Sequence, residues 1–503
     1  MTHSINTLGR RALYGAILAG GAVLSACNTD KLVAVTDPAL LTPQNVTNGA
    51  AIPGLVQGAY SLLVGGYSGF GDDAFLSSSA LISDEVYWGD TFTTRQAGDI
   101  RTVQPAALGN LSDSAFARLQ GARINARRAF AAINTFPGFT TGGDVATKAQ
   151  LRAVEAYTYV TISEGWCNSV PFSVVPDTGL VDANSLIPGS PLTTLQMNDT
   201  AIARFTDALA LDPTNSFAKI GKARALLNEG RYAEAGAAVA GVPDTYVFFL
   251  EHSTNSGREN NPMAALEQNG RYGVSNLEGA LAANGVNALR PDTSTATTAP
   301  SAEGLNFRSA HDPRIPYSPN GAKGNCFTSS IKCWLNNNYP DYNADVPMAS
   351  GVEARLVEAE AALNAGDIVT YLGKMNGLRA QSTNLIAKLY PAQKQTFFDP
   401  SGAVKALPPL ADPADPTTSA ATQFAARRDL LFRERAFWMY NTGHREGDLR
   451  RLSRNYGVPT ANAFPSGPYF RGGSYGNDVS YPVPFNEANN PNYNPASCST
   501  TAA

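Results

Sequence analysis

The feature that most constrains this chain is a run of closely spaced amphipathic helices between residues 201 and 240. Ile202, Phe205 and Leu209 form one stripe at helical spacing, and Ile220, Ala223 and Leu227 form a second. Between them stands Asp212-Pro213, where the helix must stop, because proline has no N–H to donate and its ring clashes with the preceding turn. Asn228-Glu229-Gly230 then makes a turn, and Tyr232, Ala235 and Val239 begin a third stripe. Ala208, Ala218, Gly221 and Ala225 are small enough to let antiparallel helices approach closely. A helix with one apolar stripe has to bury it against a neighbour, so this stretch commits the chain to stacked helical hairpins.

The segment ALALDPTNSFAKIGKARALLNEGRYAEA, residues 208–235, resembles a tetratricopeptide repeat, and VEARLVEAEAALNAGD at 352–367 echoes it. Further helices are predicted over 111–133, 148–164 and 422–440, which gives two helical blocks, about 111–240 and about 350–456. Between the blocks lies a loop-rich insertion, about 241–349, and residues 457–503 read as a C-terminal loop segment. From 251 to 347 the insertion is rich in Asn, Ser, Thr, Gly and Pro and shows little sustained periodicity. Long irregular segments inside compact domains are usually functional, so a binding surface is expected there.

At the N-terminus, Arg10-Arg11 precede an apolar run from Ala12 to Leu24 and then Ser25-Ala26-Cys27. The run is too short to span a bilayer and reads as a secretory leader, residues 1–26. A cysteine directly after small residues is the bacterial lipobox, so Cys27 is the expected lipidation site. Pro38, Pro43 and Pro53 suggest a tether into the first helix. Export permits disulfides among Cys167, Cys326, Cys333 and Cys498; three pairings are open, with Cys326 and Cys333 the nearest neighbours in sequence.

With 42 acidic against 38 basic side chains and a net charge of −4, the chain has no electrostatic footprint for nucleic acid. Neither HExxH, a P-loop nor C-x-x-C occurs, and Gly472-Gly473-Ser474-Tyr475-Gly476 is followed by Pro482 and Pro484 where a nucleophile elbow needs a helix. The carboxylate neighbours Asp72-Asp73 and Asp84-Glu85 cannot face each other across a bond as glycosidase chemistry requires. Asp341-x-Asn343-x-Asp345 opens like a calcium loop, but Val346 and Val352 stand where Gly and Glu are needed. No enzyme and no metal or cofactor is therefore expected, with calcium left open. What the loops do hold is aromatics beside amides: Tyr87-Trp88, then Trp334, Tyr339 and Tyr342 around Asn336-Asn337-Asn338. Rings stack on sugar faces while amides bond hydroxyls, so Tyr87, Trp88, Asn306, Arg308 and Trp334 are the candidate ligand contacts.

Four segments, taken with the lipobox, resemble the SusD/RagB family of outer-membrane lipoproteins. They are LRAVEAYTYVTISEGWCNSVPFS at 151–173, His311-Asp312-Pro313-Arg314, LLFRERAFWMYNTGHREGDLRRL at 430–452 and YPVPFNEANNPNYNP at 481–495. In the third, Glu434, Arg435, Gly443, Arg445, Asp448, Leu449 and Arg451 fall on the family signature, a structural one in which opposite charges hold a helix end. Trp438 and Thr442 depart from it, standing where the family has acids. The resemblance implies a mainly α fold: a tetratricopeptide-like helical body with a loop-rich ligand-binding half, over residues 27–503. It also implies a lipid-anchored protein on the outer face of the outer membrane that captures an oligosaccharide or other small nutrient for a TonB-dependent transporter. The alternative is a helical-repeat lipoprotein scaffold that binds proteins and no glycan.

Overall fold

A computed structural model of the chain describes residues 48–70, 73–83, 85–174, 186–276, 305–308, 310–319, 324–329, 331–394 and 406–503. The leader, Cys27, Asp72 and Asp84 lie outside the described residues. Helix α1 (Ile52–Tyr67) opens the fold. Pro53, assigned above to the tether, belongs to its first turn, where a missing N–H costs nothing. Next come α2 (Phe75–Ile82), β1 (Val86–Trp88), α3 (Thr93–Asp99), α4 (Asp113–Thr135) and α5 (Asp144–Gly165). After β2 (Ser173–Val174) and β3 (Ile187–Pro188), the hairpin stretch forms α6 (Thr194–Leu211), α7 (Ser216–Asn228) and α8 (Tyr232–Ala238).

Local rules set these boundaries. Thr193 and Gln196 make a reciprocal capping box at the start of α6, the Asn215 side chain accepts from Ala218 N–H to start α7, and Gly230, at φ +74°, turns the chain into α8. At Gly221 a Cβ would stand 2.2 Å from the Phe205 ring, so only glycine lets α7 sit this close to α6. Packing then follows chain order: α1 on α4, α4 on α5, α5 on α6, α6 on α7, α7 on α8. The second block continues the stack with α10 (Gly351–Asn364), α11 (Ile368–Ala380), α12 (Ser382–Leu389), α13 (Ala420–Trp438) and α14 (Arg445–Tyr456), α10 lying against α8. The mainly α, repeat-built body is thus present.

The insertion is more ordered than its composition predicts. It contains β4 (Val247–Leu250), α9 (Pro262–Gln268), β5 (Tyr272–Val274), β6 (Tyr317–Pro319), β7 (Trp334–Asn336) and β8 (Val346–Ser350). The strands pair as antiparallel two-stranded ribbons, β1 with β5, β4 with β8 and β6 with β7. Strands this short carry no readable alternation, and the partner of β1 lies far along the chain. A separate apolar cluster, including Tyr87, Phe307, Tyr317, Trp334, Phe437 and Tyr440, packs the β1–β5 and β6–β7 ribbons on α13, while β4 and β8 join the main core.

The C-terminal segment adds α15 (Thr460–Ala463) and is pinned along its length. Tyr481 N–H donates to Gly165 O and Cys167 N–H to Tyr481 O, and a disulfide joins Cys167 to Cys498. The second disulfide joins Cys326 to Cys333, which resolves the three open pairings. No helix among the described residues is long and apolar enough to cross a membrane.

Candidate ligand-binding surface

The five candidate contacts converge on the ribbon half, but their side chains face inward. Tyr87 is buried and its hydroxyl donates to Lys332 O at 2.7 Å. Trp334 is buried edge-on against Tyr317, with the Arg308 guanidinium 5.1 Å from its ring centre. Asn306 and Arg308 are buried in the same loop. Trp88 is buried as well, with the Arg471 guanidinium 3.9 Å above its ring. None of these rings offers an open face to a sugar, which corrects the expectation that they do. Large aromatic side chains gain most by burial, and these fill the core beneath the loops.

Two exposed rings stand near them in sequence, Phe92 at 55% and Phe327 at 51% exposure. Arg271 lies between them, its guanidinium 5.5 Å from the Phe92 ring and 4.3 Å from the Phe327 ring, and the Arg95 guanidinium is 4.9 Å from the Phe92 ring. Carboxylates balance both cations. Arg271 pairs with Asp90 at 2.7 Å, while Arg95 bridges Asp90 and Asp73. Burial would raise the Asp90 carboxyl, but the Thr91 N–H, Arg271 and Arg95 hold it below the usual carboxylate range. The result is an apolar, electrically balanced surface with fixed rings.

Backbone contacts hold that surface rigid. Gly89 N–H donates to Arg271 O, Phe327 N–H to Gly270 O and Thr328 N–H to Gly89 O, stitching three loops together. A Cβ on Gly89 would stand 2.5 Å from Cys326 Sγ, so the disulfide loop can reach the end of β1 only because position 89 is glycine. Phe92 and Phe327 are not among the contacts that the sequence singles out. The available signal was a lone large apolar residue in a polar run, Asp90-Thr91-Phe92-Thr93-Thr94, and a phenylalanine inside a disulfide loop too small to bury it.

Beside this surface, at the end of α9, a cleft of about 250 Å³ is lined by Glu267, Ser318, Asn336, Asn337, Tyr339 and Lys394. Burial pushes the Glu267 carboxyl well above its usual range, although it accepts from Asn336 N–H at 3.1 Å. The Asn336 Nδ2 donors are buried without a hydrogen-bond partner among the described residues. Of the three amides expected to meet hydroxyls, Asn336 and Asn337 are therefore at a cleft, with Tyr339 in its wall, while the buried Asn338 amide donates to Arg314 O and accepts from Gln393. The other candidate chemistry is absorbed by structure. Asp341 pairs with Lys394 at 3.0 Å, Asp345 accepts from His252 N–H, Asp73 holds Arg95, and Glu85 accepts from Asn441 N–H. No cluster of metal-ligating side chains occurs among the described residues.

The signature residues form a buried charge network away from this surface. Arg435 of α13 makes a two-pronged pair with Asp448 of α14, both contacts at 2.8 Å. Arg451 bridges Asp448 and Glu360 of α10. Burial alone would raise the Asp448 carboxyl, but the two guanidinium groups hold it well below the carboxylate range. Glu434 takes Arg314 at 2.8 Å and Arg379 at 2.7 Å, which fixes the Asp312-Pro313-Arg314 turn onto α13. Arg445 is buried in the first turn of α14. Gly443, at φ +79°, makes the bend between the two helices, where a Cβ would stand 2.9 Å from the Tyr67 hydroxyl.

Residues 195–247 match the tetratricopeptide repeat family model. No curated protein matches the sequence. Solved structures do match: a SusD superfamily protein from Bacteroides vulgatus at 14% identity and TM-score 0.54, over 88% of this chain and 97% of the other. B. fragilis NanU matches at 14% identity and TM-score 0.54, over 89% of this chain and 96% of the other. A laminarin-binding SusD-like protein matches at 14% identity and TM-score 0.54, over 89% of this chain and the whole of the other. At this identity the likeness concerns the fold, and the fold is SusD-like.

Proposed function

We propose that the protein is a cell-surface lipoprotein that captures a neutral oligosaccharide and delivers it to a TonB-dependent outer-membrane transporter. The observation that carries this reading is the pair of half-exposed rings, Phe92 and Phe327, held on either side of a charge-balanced Arg271. Aromatic faces stack on pyranose C–H faces, and a surface whose cations are already neutralised does not select for phosphate or sulfate. The adjoining amide-lined cleft supplies donors and acceptors for hydroxyls. Tyr87, Trp88, Asn306, Arg308 and Trp334 act beneath the surface, setting its shape. A laminarin-binding protein among the structural neighbours supports a glycan as ligand.

The role needs no bond-making. Stacking and hydrogen bonding give enough affinity to capture the ligand, and modest affinity lets it leave. Cys27 carries the lipid anchor that keeps the protein at the outer membrane beside its transporter.

The test is native gel electrophoresis through laminarin, starch and other neutral polysaccharides. Wild-type protein should be retarded by at least one of them. The Phe92→Ala/Phe327→Ala protein should bind at least tenfold more weakly. Equal retardation of the two proteins would overturn the assignment of the surface. The transporter role is tested separately, by mild detergent extraction of outer membranes and capture of the tagged lipoprotein. A stoichiometric β-barrel with a plug domain is expected, whereas soluble partners alone would favour a scaffold.

A further inference from the structure

A second cleft runs along α1 of the helical body, lined by none of the residues of the Phe92–Phe327 platform. Its two parts have volumes of about 490 and 650 Å³ and share Gln57 and Tyr60 of α1 and Gln150 of α5, so they form one trough along α1. Both fall within the size range of small-molecule sites, and together they suit an extended ligand.

The walls are fixed before any ligand arrives. Tyr157 of α5 and Phe217 of α7 stack at 4.1 Å, and Phe217 stacks on Phe248 of β4 at 3.8 Å. Tyr157 and Phe217 are buried, while Phe248 is half-buried and lines the trough. The ring stack therefore ends at the trough, with one face of Phe248 covered by Phe217. Phe70 forms another part of the wall, packed so closely on α1 that a Cβ at Gly65 would meet its ring at 2.2 Å. The far rim, residues 251–259, is pinned by His252. Its N–H donates to Asp345 at 2.8 Å, and its ring nitrogens contact Ser68 Oγ at 2.9 Å and Glu259 O at 3.1 Å. Ser68 is wholly buried, so this serine–histidine contact is a clasp with no access for a substrate carbonyl.

The polar lining is amide, hydroxyl, carboxylate and one imidazole: Gln57, Gln150, Asn215 and Ser253, with Asp212, Glu251, Glu259 and His252. Among the described residues, neither part is lined by a lysine or an arginine. That composition disfavours anionic ligands such as sulfated or uronic acid chains. It suits a ligand with stackable apolar ring faces and many hydroxyls.

We propose that this trough is a second binding site for a neutral oligosaccharide, ended by Phe248 as a stacking platform and contacted by the Gln57, Tyr60 and Gln150 side chains. A second site on one lipoprotein gives a polysaccharide two points of attachment, which raises avidity without a stronger contact at either.

Isothermal titration with laminarihexaose, cellohexaose and maltohexaose tests the idea on the full soluble chain. Four proteins are compared: wild type, Phe92→Ala/Phe327→Ala, Gln57→Arg, and the three substitutions combined. Gln57 is exposed, so an arginine there crowds the trough and adds a cation without disturbing the core. Wild type should bind two hexaoses per chain, the platform variant and Gln57→Arg one each, and the combined variant none. Complete loss of binding in the platform variant, with wild type binding one hexaose, would overturn the trough and leave the platform intact. One remaining site that Gln57→Arg weakens less than threefold would also overturn it. Binding of hexalysine, relieved by Gln57→Arg, with no second hexaose site would reassign the trough to a basic peptide. No hexaose binding by wild type would overturn trough and platform together.

Discussion

The helical body and the ribbon half are built on opposite plans. In the body, each helix leans on the next along the chain, α4 on α5, α5 on α6 and α6 on α7, and side-chain caps within one turn set the starts of α6 and α7. In the ribbon half, Val86 pairs with Val274 and Val247 with Ser350, and strands of three to five residues are kept in place by distant partners. A region of sequential contacts can be stable almost anywhere along its length. A region of long-range contacts depends on its staples, and in exchange it can present loops in a fixed arrangement, as at Phe92 and Phe327.

The two disulfides give the sharpest test of that difference. Cys167–Cys498 closes a separation of 331 residues and ties the C-terminal segment to the end of α5, whereas Cys326–Cys333 closes 7. On the chain-entropy account, the long closure contributes roughly 6 kcal/mol and the short one roughly 2.5 kcal/mol. Cys167→Ser/Cys498→Ser should therefore lower unfolding stability far more than Cys326→Ser/Cys333→Ser, as read by urea denaturation under non-reducing conditions. The short bridge should matter more for glycan binding, because it shapes the loop that carries Phe327. If removing it costs as much stability as removing the long one, the ribbon half is not a locally stapled platform.

The second largest effect is expected inside the body. Asp448 lies between Arg435 and Arg451, both buried, and Asp448→Asn leaves the two cations short of a counter-charge. Breaking a buried pair in this way costs about 3–5 kcal/mol. Denaturant titration should show that loss, with sugar affinity of the folded protein unchanged. A change in affinity with no change in stability would mean that the network serves the ligand and not the helix junction.

These contrasts also explain what the sequence could reveal. Pro213, Asn215 and Gly230 act on their own neighbours, so the hairpins of the body were readable to within a turn. The Glu434–Arg435 and Asp448–Arg451 spacing was visible, yet Glu360 and Arg314, which complete the two clusters, come from other parts of the chain. For Tyr87 and Trp334 the sequence showed aromatics in loops but not their direction. Direction is set by ribbon pairing and by α13 beneath, neither of which has a local signal. The exposed rings stand four residues after Trp88 and one after Cys326, close to the expected place but on different side chains.

A third effect should appear between pH 7 and pH 4, with opposite signs at two buried groups. Burial lowers His252 from 6.5 to about 4, with Glu259 O partly opposing the shift. The unfolded chain therefore takes up a proton first, and stability present above pH 6.5 drains away as the pH falls toward 4, by about 3 kcal/mol. Burial raises Asp99 from 3.8 to about 7 against hydrogen bonds from Tyr469 and Trp88. Its contribution is fully present below pH 3.8 and is lost as the pH rises through 7. Urea titrations at pH 7.5 and pH 5 should show His252→Gln gaining stability at the lower pH relative to wild type, and Asp99→Asn losing it. Matching pH profiles for all three proteins would mean that neither group is held away from water.

The smallest expected effect on stability is at the platform itself. Phe92 and Phe327 are half-exposed and rest chiefly on the guanidinium groups of Arg271 and Arg95, which keep their carboxylate partners when the rings are removed. Exposed cation–ring contacts are worth about 0.5–1 kcal/mol each, and part of that is recovered when water rehydrates the cation. Phe92→Ala should therefore change unfolding stability by no more than about 0.5 kcal/mol, as for other surface substitutions. A loss of several kcal/mol, measured in the same urea titration, would make Phe92 a structural ring that happens to show an edge. Near-neutrality, set beside the large costs expected at Cys167 and Asp448, would separate the residues that hold the molecule together from those left free to meet a ligand.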